Sequence, residues 1–212
     1  MISMKRLASI TVAGLFAVAL VACSGNARVR KPAELTPVTN QFEMVPVWTT
    51  NIGSSETFNF HPAIAGDGAY TASHSGNVTK IDLATGKKMW EASVPERLAI
   101  GPGSDGRTTA VVGIKGNVYA FDDTGKQLWS ANIGSEVLSE PVVAGGVVIV
   151  RALDNRFVGL DAQTGARKWT YQRPQSALSL RVGYGMLPIN NEVVVTGFSG
   201  GRFGMIAIAN GG

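Results

Sequence analysis

The sequence predicts an all-β chain folded as a β-propeller of four-stranded blades, and three observations carry that prediction. The four tryptophans of the 212-residue chain, Trp48, Trp90, Trp129 and Trp169, stand 42, 39 and 40 residues apart. Each of the last three closes a similar stretch: GNVTKIDLATGKKMW (76–90), GNVYAFDDTGKQLW (116–129) and NRFVGLDAQTGARKW (155–169). The composition agrees, with 26 glycines, 45% hydrophobic residues and only 16% charged ones. Such a chain is too apolar to be disordered and lacks the helical period of a bundle; short β-branched runs between glycine turns read as strands. A fixed period near forty built from strands means blades.

Two strands open each period. SEPVVAGGVVIVR (139–151) shows them most clearly, and HPAIAGDGAYTAS (61–73) and LAIGPGSDGRTTAVVG (98–113) have the same shape. Glycine turns at 66–68, 104–106 and 145–146 join each pair into a hairpin. The third strand, Val78–Asp82, Val118–Asp122 or Phe157–Asp161, alternates its side chains and is expected to be half-buried. Asp82, Asp122 and Asp161 then accept amide hydrogen bonds in a turn. Gly86, Gly125 and Gly165 supply a positive φ there, which costs a bulkier residue about 1–2 kcal/mol. The fourth strand carries the tryptophan, whose ring of about 150–250 Å² covers the interface between blades. A fourth start, GRFGMIAIANG (201–211), has Ala207 where the aspartate would stand.

The first 22 residues have a different character. Lys5 and Arg6 precede the apolar run Leu7–Ala22, broken only by Ser9, Thr11 and Gly14, which is the layout of a secretory signal peptide. Leu20-Val21-Ala22-Cys23 resembles the lipobox of bacterial lipoproteins, which implies cleavage before Cys23 and acylation of that residue. Ser24 in place of an aspartate implies sorting to the outer membrane. Cys23 is the only cysteine, so no internal disulfide is possible. Residues 24–41 read as a flexible tether and 42–212 as the propeller.

Some classes are set aside. The net charge is +4, but two of the 19 basic residues lie in the signal and all 15 acids lie beyond it, leaving 17 − 15 = +2. Basic residues gather on no recurring face, so a nucleic-acid partner is not expected. His61 and His74 are 13 residues apart without neighbouring cysteines, so no metal site is expected. GPGSDG (101–106) lacks the Lys-Ser/Thr of a phosphate loop and reads as a hairpin turn.

The ending Asp-x-x-Thr-Gly-x-x-x-Trp, seen as DLATGKKMW and DAQTGARKW, resembles the repeat of pyrroloquinoline-quinone-type propellers over residues 42–211. Together with the lipobox it resembles the BamB family, the propeller lipoproteins of the outer-membrane β-barrel assembly machinery. The segment Ala177-Leu178-Ser179-Leu180-Arg181 resembles a Leu-Ser-Leu-Arg segment of that family. The resemblance implies that Leu178, Leu180 and Arg181 bind the periplasmic domains of BamA, the barrel-insertion protein, with unfolded outer-membrane proteins as a further partner. Read from the residues alone, the same positions fit a blade strand with both leucines on one side, and both readings stay open.

Family members have eight blades, which at forty residues each needs about 320 residues. About four are present, so an N-terminal fragment or a shortened product is expected, less stable than a closed ring. The rival class is the quinone-dependent dehydrogenases, which resemble one another in a vicinal disulfide, a calcium site and a catalytic aspartate. Here the cysteine is committed to lipid and the aspartates to turns. The expectation is therefore a scaffold without catalytic residues or cofactor, lipid-anchored on the periplasmic face of the outer membrane. The alternative is a propeller lipoprotein that binds another envelope protein or a peptide.

Overall fold

Short apolar runs separated by glycine turns leave the chain little choice but to fold back on itself. The structure, a computed structural model, describes residues 32–36, 42–173 and 185–212. The chain divides into Met1–Val45 and Pro46–Gly212, and every strand among the described residues lies in the second unit. The first sheet is β1 (Ala63–Ala65), β2 (Gly68–Ala72), β3 (Asn77–Asp82) and β4 (Lys88–Ser93). The second is β5 (Gly103–Ser104), β6 (Thr109–Val112), β7 (Asn117–Phe121) and β8 (Gln127–Asn132). The third is β9 (Val142–Ala144), β10 (Val147–Arg151), β11 (Arg156–Asp161) and β12 (Arg167–Gln172). A fourth sheet holds β13 (Met186–Pro188), β14 (Val193–Phe198) and β15 (Arg202–Ala207).

Within each sheet the strands pair antiparallel in chain order, a meander, so each sheet is one blade of a partial β-propeller. Gly145 and Gly146, at φ 56° and 73°, form the two-residue turn between β9 and β10; two successive positive φ angles match the right-handed twist of a hairpin.

The third strands of the first three blades differ from the half-buried expectation, whereas β15 in the fourth keeps Phe203 and Met205 exposed and Ile206 buried. β3, β7 and β11 are buried on both faces along their centres, and for β7 and β11 the cause is a neighbouring blade on each side. β10 shows the consequence. Val148 and Val150 pack with Ala110, Val112 and Val118 of the second blade. Val147 and Ile149 pack with Val194, Phe198 and Ile206 of the fourth. Between the first and second blades the same role falls to Ala72, Val78, Val111, Tyr119 and Phe121. Each valine, isoleucine or phenylalanine among them contributes about 1.5–3 kcal/mol when fully buried. A strand with solvent on one side would alternate with polar residues; VVIV does not.

One irregularity recurs. Lys80 pairs with Trp90 but Ile81 pairs with Lys88, so Met89 is an extra residue. The same shift falls between Ala120 and Phe121 and between Gly159 and Leu160. This is a β-bulge, which bends a strand and re-aims the side chain beside it. Here the re-aimed residue is the tryptophan.

Candidate functional site

Two kinds of site emerge at opposite ends of the blades. The first is the repeated turn between the third and fourth strands. Asp82 Oδ1 accepts the Thr85 amide at 2.7 Å and the Thr85 hydroxyl at 2.5 Å. Asp122 Oδ1 accepts the Thr124 amide, the Thr124 hydroxyl and the Lys126 amide at 2.9, 2.7 and 3.0 Å. Asp161 Oδ1 accepts the Gln163 and Thr164 amides and the Thr164 hydroxyl at 3.0–3.1 Å. The threonine hydroxyl, followed by the turn amides, holds each of these carboxyls below the ordinary aspartate range. In each carboxylate Oδ1 is engaged in shaping the turn.

The glycine of each turn receives the indole of the preceding repeat. Gly86, Gly125 and Gly165 have φ of 70°, 85° and 72°. A Cβ on them would sit 2.5–2.7 Å from the rings of Trp48, Trp90 and Trp129 respectively. Each indole Nε1 then donates to a carbonyl of the same turn: Trp48 to Leu83 at 2.9 Å, Trp90 to Asp123 at 3.0 Å and Trp129 to Ala162 at 2.9 Å. Trp169 repeats the arrangement on the fourth blade, donating to the Ile208 carbonyl at 2.8 Å over Gly211. That turn lacks the aspartate and closes by the Gly211 amide on the Ala207 carbonyl at 2.8 Å. Glycine is therefore needed twice over, for its φ and for the flat ring above it. The second reason was not legible in the residues.

The second kind of site lies where one blade leads into the next. The connections 94–102 and 133–141 have nine residues each, whereas 173–185, from β12 to β13, has thirteen. Leu178, Leu180 and Arg181 fall in this longer connection and lie outside the described residues, as does Cys23. Around Arg173, the residue after β12, sits a cationic and aromatic cluster. Arg151 is only 3% exposed and donates to Thr196 Oγ1 at 2.9 Å and the Gly197 carbonyl at 2.8 Å. Its guanidinium lies over the rings of Phe157 and Phe198, 4.9 and 5.3 Å from their centroids, and Arg173 stacks on Phe198 at 4.6 Å. An arginine ending an otherwise apolar strand was the signal available in the sequence.

The two histidines go to different partners. His61 Nδ1 lies 2.8 Å from Glu140 Oε1, and His74 Nδ1 lies 2.6 Å from the Leu98 carbonyl with its ring stacked on Phe58. GPGSDG forms the β5–β6 hairpin, where Asp105 Oδ1 accepts the Arg107 and Thr108 amides at 2.9 and 2.8 Å. No helix among the described residues is long and apolar enough to cross a membrane.

Comparison with known proteins gives a consistent answer. The family model described as outer membrane protein assembly factor BamB matches residues 46–100 and 74–212. The assembly factor BamB of Burkholderia pseudomallei is 37% identical over 206 residues, covering 97% of this chain and 54% of that protein. The Bordetella pertussis protein of the same name is 41% identical over 181 residues, covering 85% and 47%. The chain thus spans about half the length of the curated relatives it matches. The crystal structure of BamB from Moraxella catarrhalis superposes with a TM-score of 0.63 at 25% identity, covering 72% of this chain and 46% of that one. A quinohemoprotein alcohol dehydrogenase of Pseudomonas putida shares only the fold, with a TM-score of 0.55 at 14% identity, covering 74% of this chain and 33% of that one. The chain belongs to the family of the outer membrane protein assembly factor BamB.

Proposed function

We propose that this protein is a non-catalytic scaffold of outer-membrane β-barrel assembly, held to the membrane by lipid on Cys23 and docked through Leu178, Leu180 and Arg181. The observation that carries the reading is the family match across residues 46–212, whose members at 37–41% identity are named outer membrane protein assembly factors. The chemistry of the described residues supports it. Asp82, Asp122 and Asp161 each spend Oδ1 on turn amides and a threonine hydroxyl, and the four indoles are committed to neighbouring turns.

In this reading the blades are a rigid support and the connections between them present the contacts. Interface anchors favour arginine beside apolar side chains, and Leu178, Leu180 and Arg181 supply that combination on the longest connection. Two signals are needed for stable membrane attachment, and acyl chains on Cys23 together with a docked partner meet that need. The partner is a periplasmic domain of BamA.

The test is recovery from membranes. Arg181→Glu should reduce co-purification of BamA several-fold while the thermal melt stays unchanged, and Cys23→Ala should abolish incorporation of labelled palmitate. Undiminished BamA recovery with Arg181→Glu would remove the docking assignment. Recovery of some other envelope protein in its place would favour the alternative reading.

A further inference from the structure

We propose that Arg173 and Arg202, gathered around Phe198 at the connection end of the third and fourth blades, bind an acidic segment of a partner protein. The proposal rests on the scaffold reading only in taking a protein as the partner, and Leu178, Leu180 and Arg181 form no part of it. Phe198 ends β14 and is 8% exposed, in the core between these two blades. Arg151 and Arg173 both stack on its ring, 5.3 and 4.6 Å from the centroid. Arg202 opens β15 directly opposite Phe198, so the two side chains project to the same face of the sheet. Ile206 on that face is buried against the third blade, while Arg202 at its end is exposed.

Neither cation is spent within the chain. Among the described residues, no ion pair or hydrogen bond engages the guanidinium of Arg173 or Arg202. Asp154, on the β10–β11 loop at this end, is taken by Arg156, whose Nε donates to its Oδ2 at 2.6 Å. From residue 162 to 191 the sequence holds no aspartate or glutamate, so the connection that begins at Arg173 brings none. Charge is lopsided along the chain as well. Residues 162–212 hold five basic residues and one acid, whereas 46–161 hold nine basic residues and twelve acids. Such an imbalance steers an acidic partner towards one part of the surface.

The arrangement suits carboxylates. A guanidinium presents its N–H donors in a planar fork that matches a carboxylate, and stacking Arg173 on a ring fixes the plane of that fork. Arg151 holds the ring in place, because its guanidinium bonds Asn155 of the third blade and Thr196 and Gly197 of the fourth. A base fixed in advance spares a partner the entropy of ordering it. A flat anionic membrane would meet the acid-rich earlier blades as well, whereas a narrow segment meets only these two.

The test uses the full chain and three fluorescein-labelled octapeptides, alternating serine with glutamate, glutamine or lysine, followed by fluorescence anisotropy. The Glu–Ser peptide should bind about ten-fold more tightly than the other two, and less tightly as salt rises. The double variant Arg173→Gln/Arg202→Gln should lose about ten-fold for that peptide. Arg202 is exposed, so Arg202→Gln alone should weaken binding several-fold with an unchanged melt, which separates recognition from folding. Lys115→Gln, which removes an exposed charge from the second blade, should bind as the parent does. BamA takes no part in this assay, so its failure counts against this site alone and not against the docking assignment. Equal binding of the glutamate and glutamine peptides, unchanged affinity in the double variant, an equal loss in Lys115→Gln, or no binding at millimolar peptide would each overturn the proposal. So would displacement by glycerol phosphate, a lipid headgroup, at the concentration at which unlabelled Glu–Ser peptide displaces the label.

Discussion

At one end of each blade the chain does the same thing every time, and at the other end it does not. The turn end carries a glycine at positive φ, an indole laid across it and an Nε1 bond back to the turn, in four successive repeats. The connection end varies. Two residues ahead of the inner strands β1, β5 and β9 stand His61, Gly101 and Glu140, three unrelated chemistries at one structural position. The connections also differ in length. The difference separates labour: the uniform end builds the stack of sheets, and the variable end is where recognition can be written without disturbing that stack.

If that division holds, substitutions at the turn end should cost stability and those at the connection end should not. The largest effect is expected for Trp129→Ala, which removes a ring only 9% exposed and leaves the Ala162 carbonyl without its donor. Urea denaturation should show a loss of about 3–5 kcal/mol. A sharper contrast pairs two glycines of nearly equal backbone geometry. Gly165 has φ 72° and lies under the Trp129 ring, whereas Gly134, in the connection to the third blade, has φ 71° and nothing within 4 Å of an added Cβ. Gly134→Ala should cost only the left-handed penalty of about 1–2 kcal/mol. Gly165→Ala must also displace the indole and should cost about 1–3 kcal/mol more. Equal melting temperatures for the two variants would undo the claim that the ring requires glycine.

The smallest effect concerns pH. The carboxyls of Asp82, Asp122 and Asp161 titrate below their ordinary value of 3.8 in the folded chain. A depressed folded value gives stability that is present above the unfolded value and lost as pH falls through the folded one. The triple variant Asp82→Asn/Asp122→Asn/Asp161→Asn should therefore melt below the parent at pH 6. The gap should narrow as pH drops from about 4 downwards, because the parent then loses what the variant never had. A gap constant down to pH 2 would mean that the turns owe nothing to charge.

Much of this was legible in the residues. The spacing of the four tryptophans, the Gly-Asn-Val starts and the Asp-Thr-Gly turns predicted the strand count and the order of the blades, because hairpins and turns are settled by residues within a few positions of one another. The half-buried third strand was the error. Alternation describes one sheet with one wet face, and β7 and β11 have a neighbouring sheet on each side. Nothing local marks that difference except the unbroken apolar run of β10. The extra residue beside each tryptophan was equally hidden, since a bulge changes register without changing composition.

The sequence by itself determined the period and the turn chemistry, both of which arise from interactions a few residues long. Only the tertiary structure decided what each indole touches, because its acceptor carbonyl lies 33 to 39 residues away along the chain. The cluster of Arg151, Arg173 and Phe198 belongs to the same category. Its parts come from two sheets, as the Arg151–Thr196 separation of 45 residues shows. They meet only because successive sheets stack and so carry equivalent connections to the same end. Local pattern sets what a repeat is, and stacking sets what its neighbours make of it.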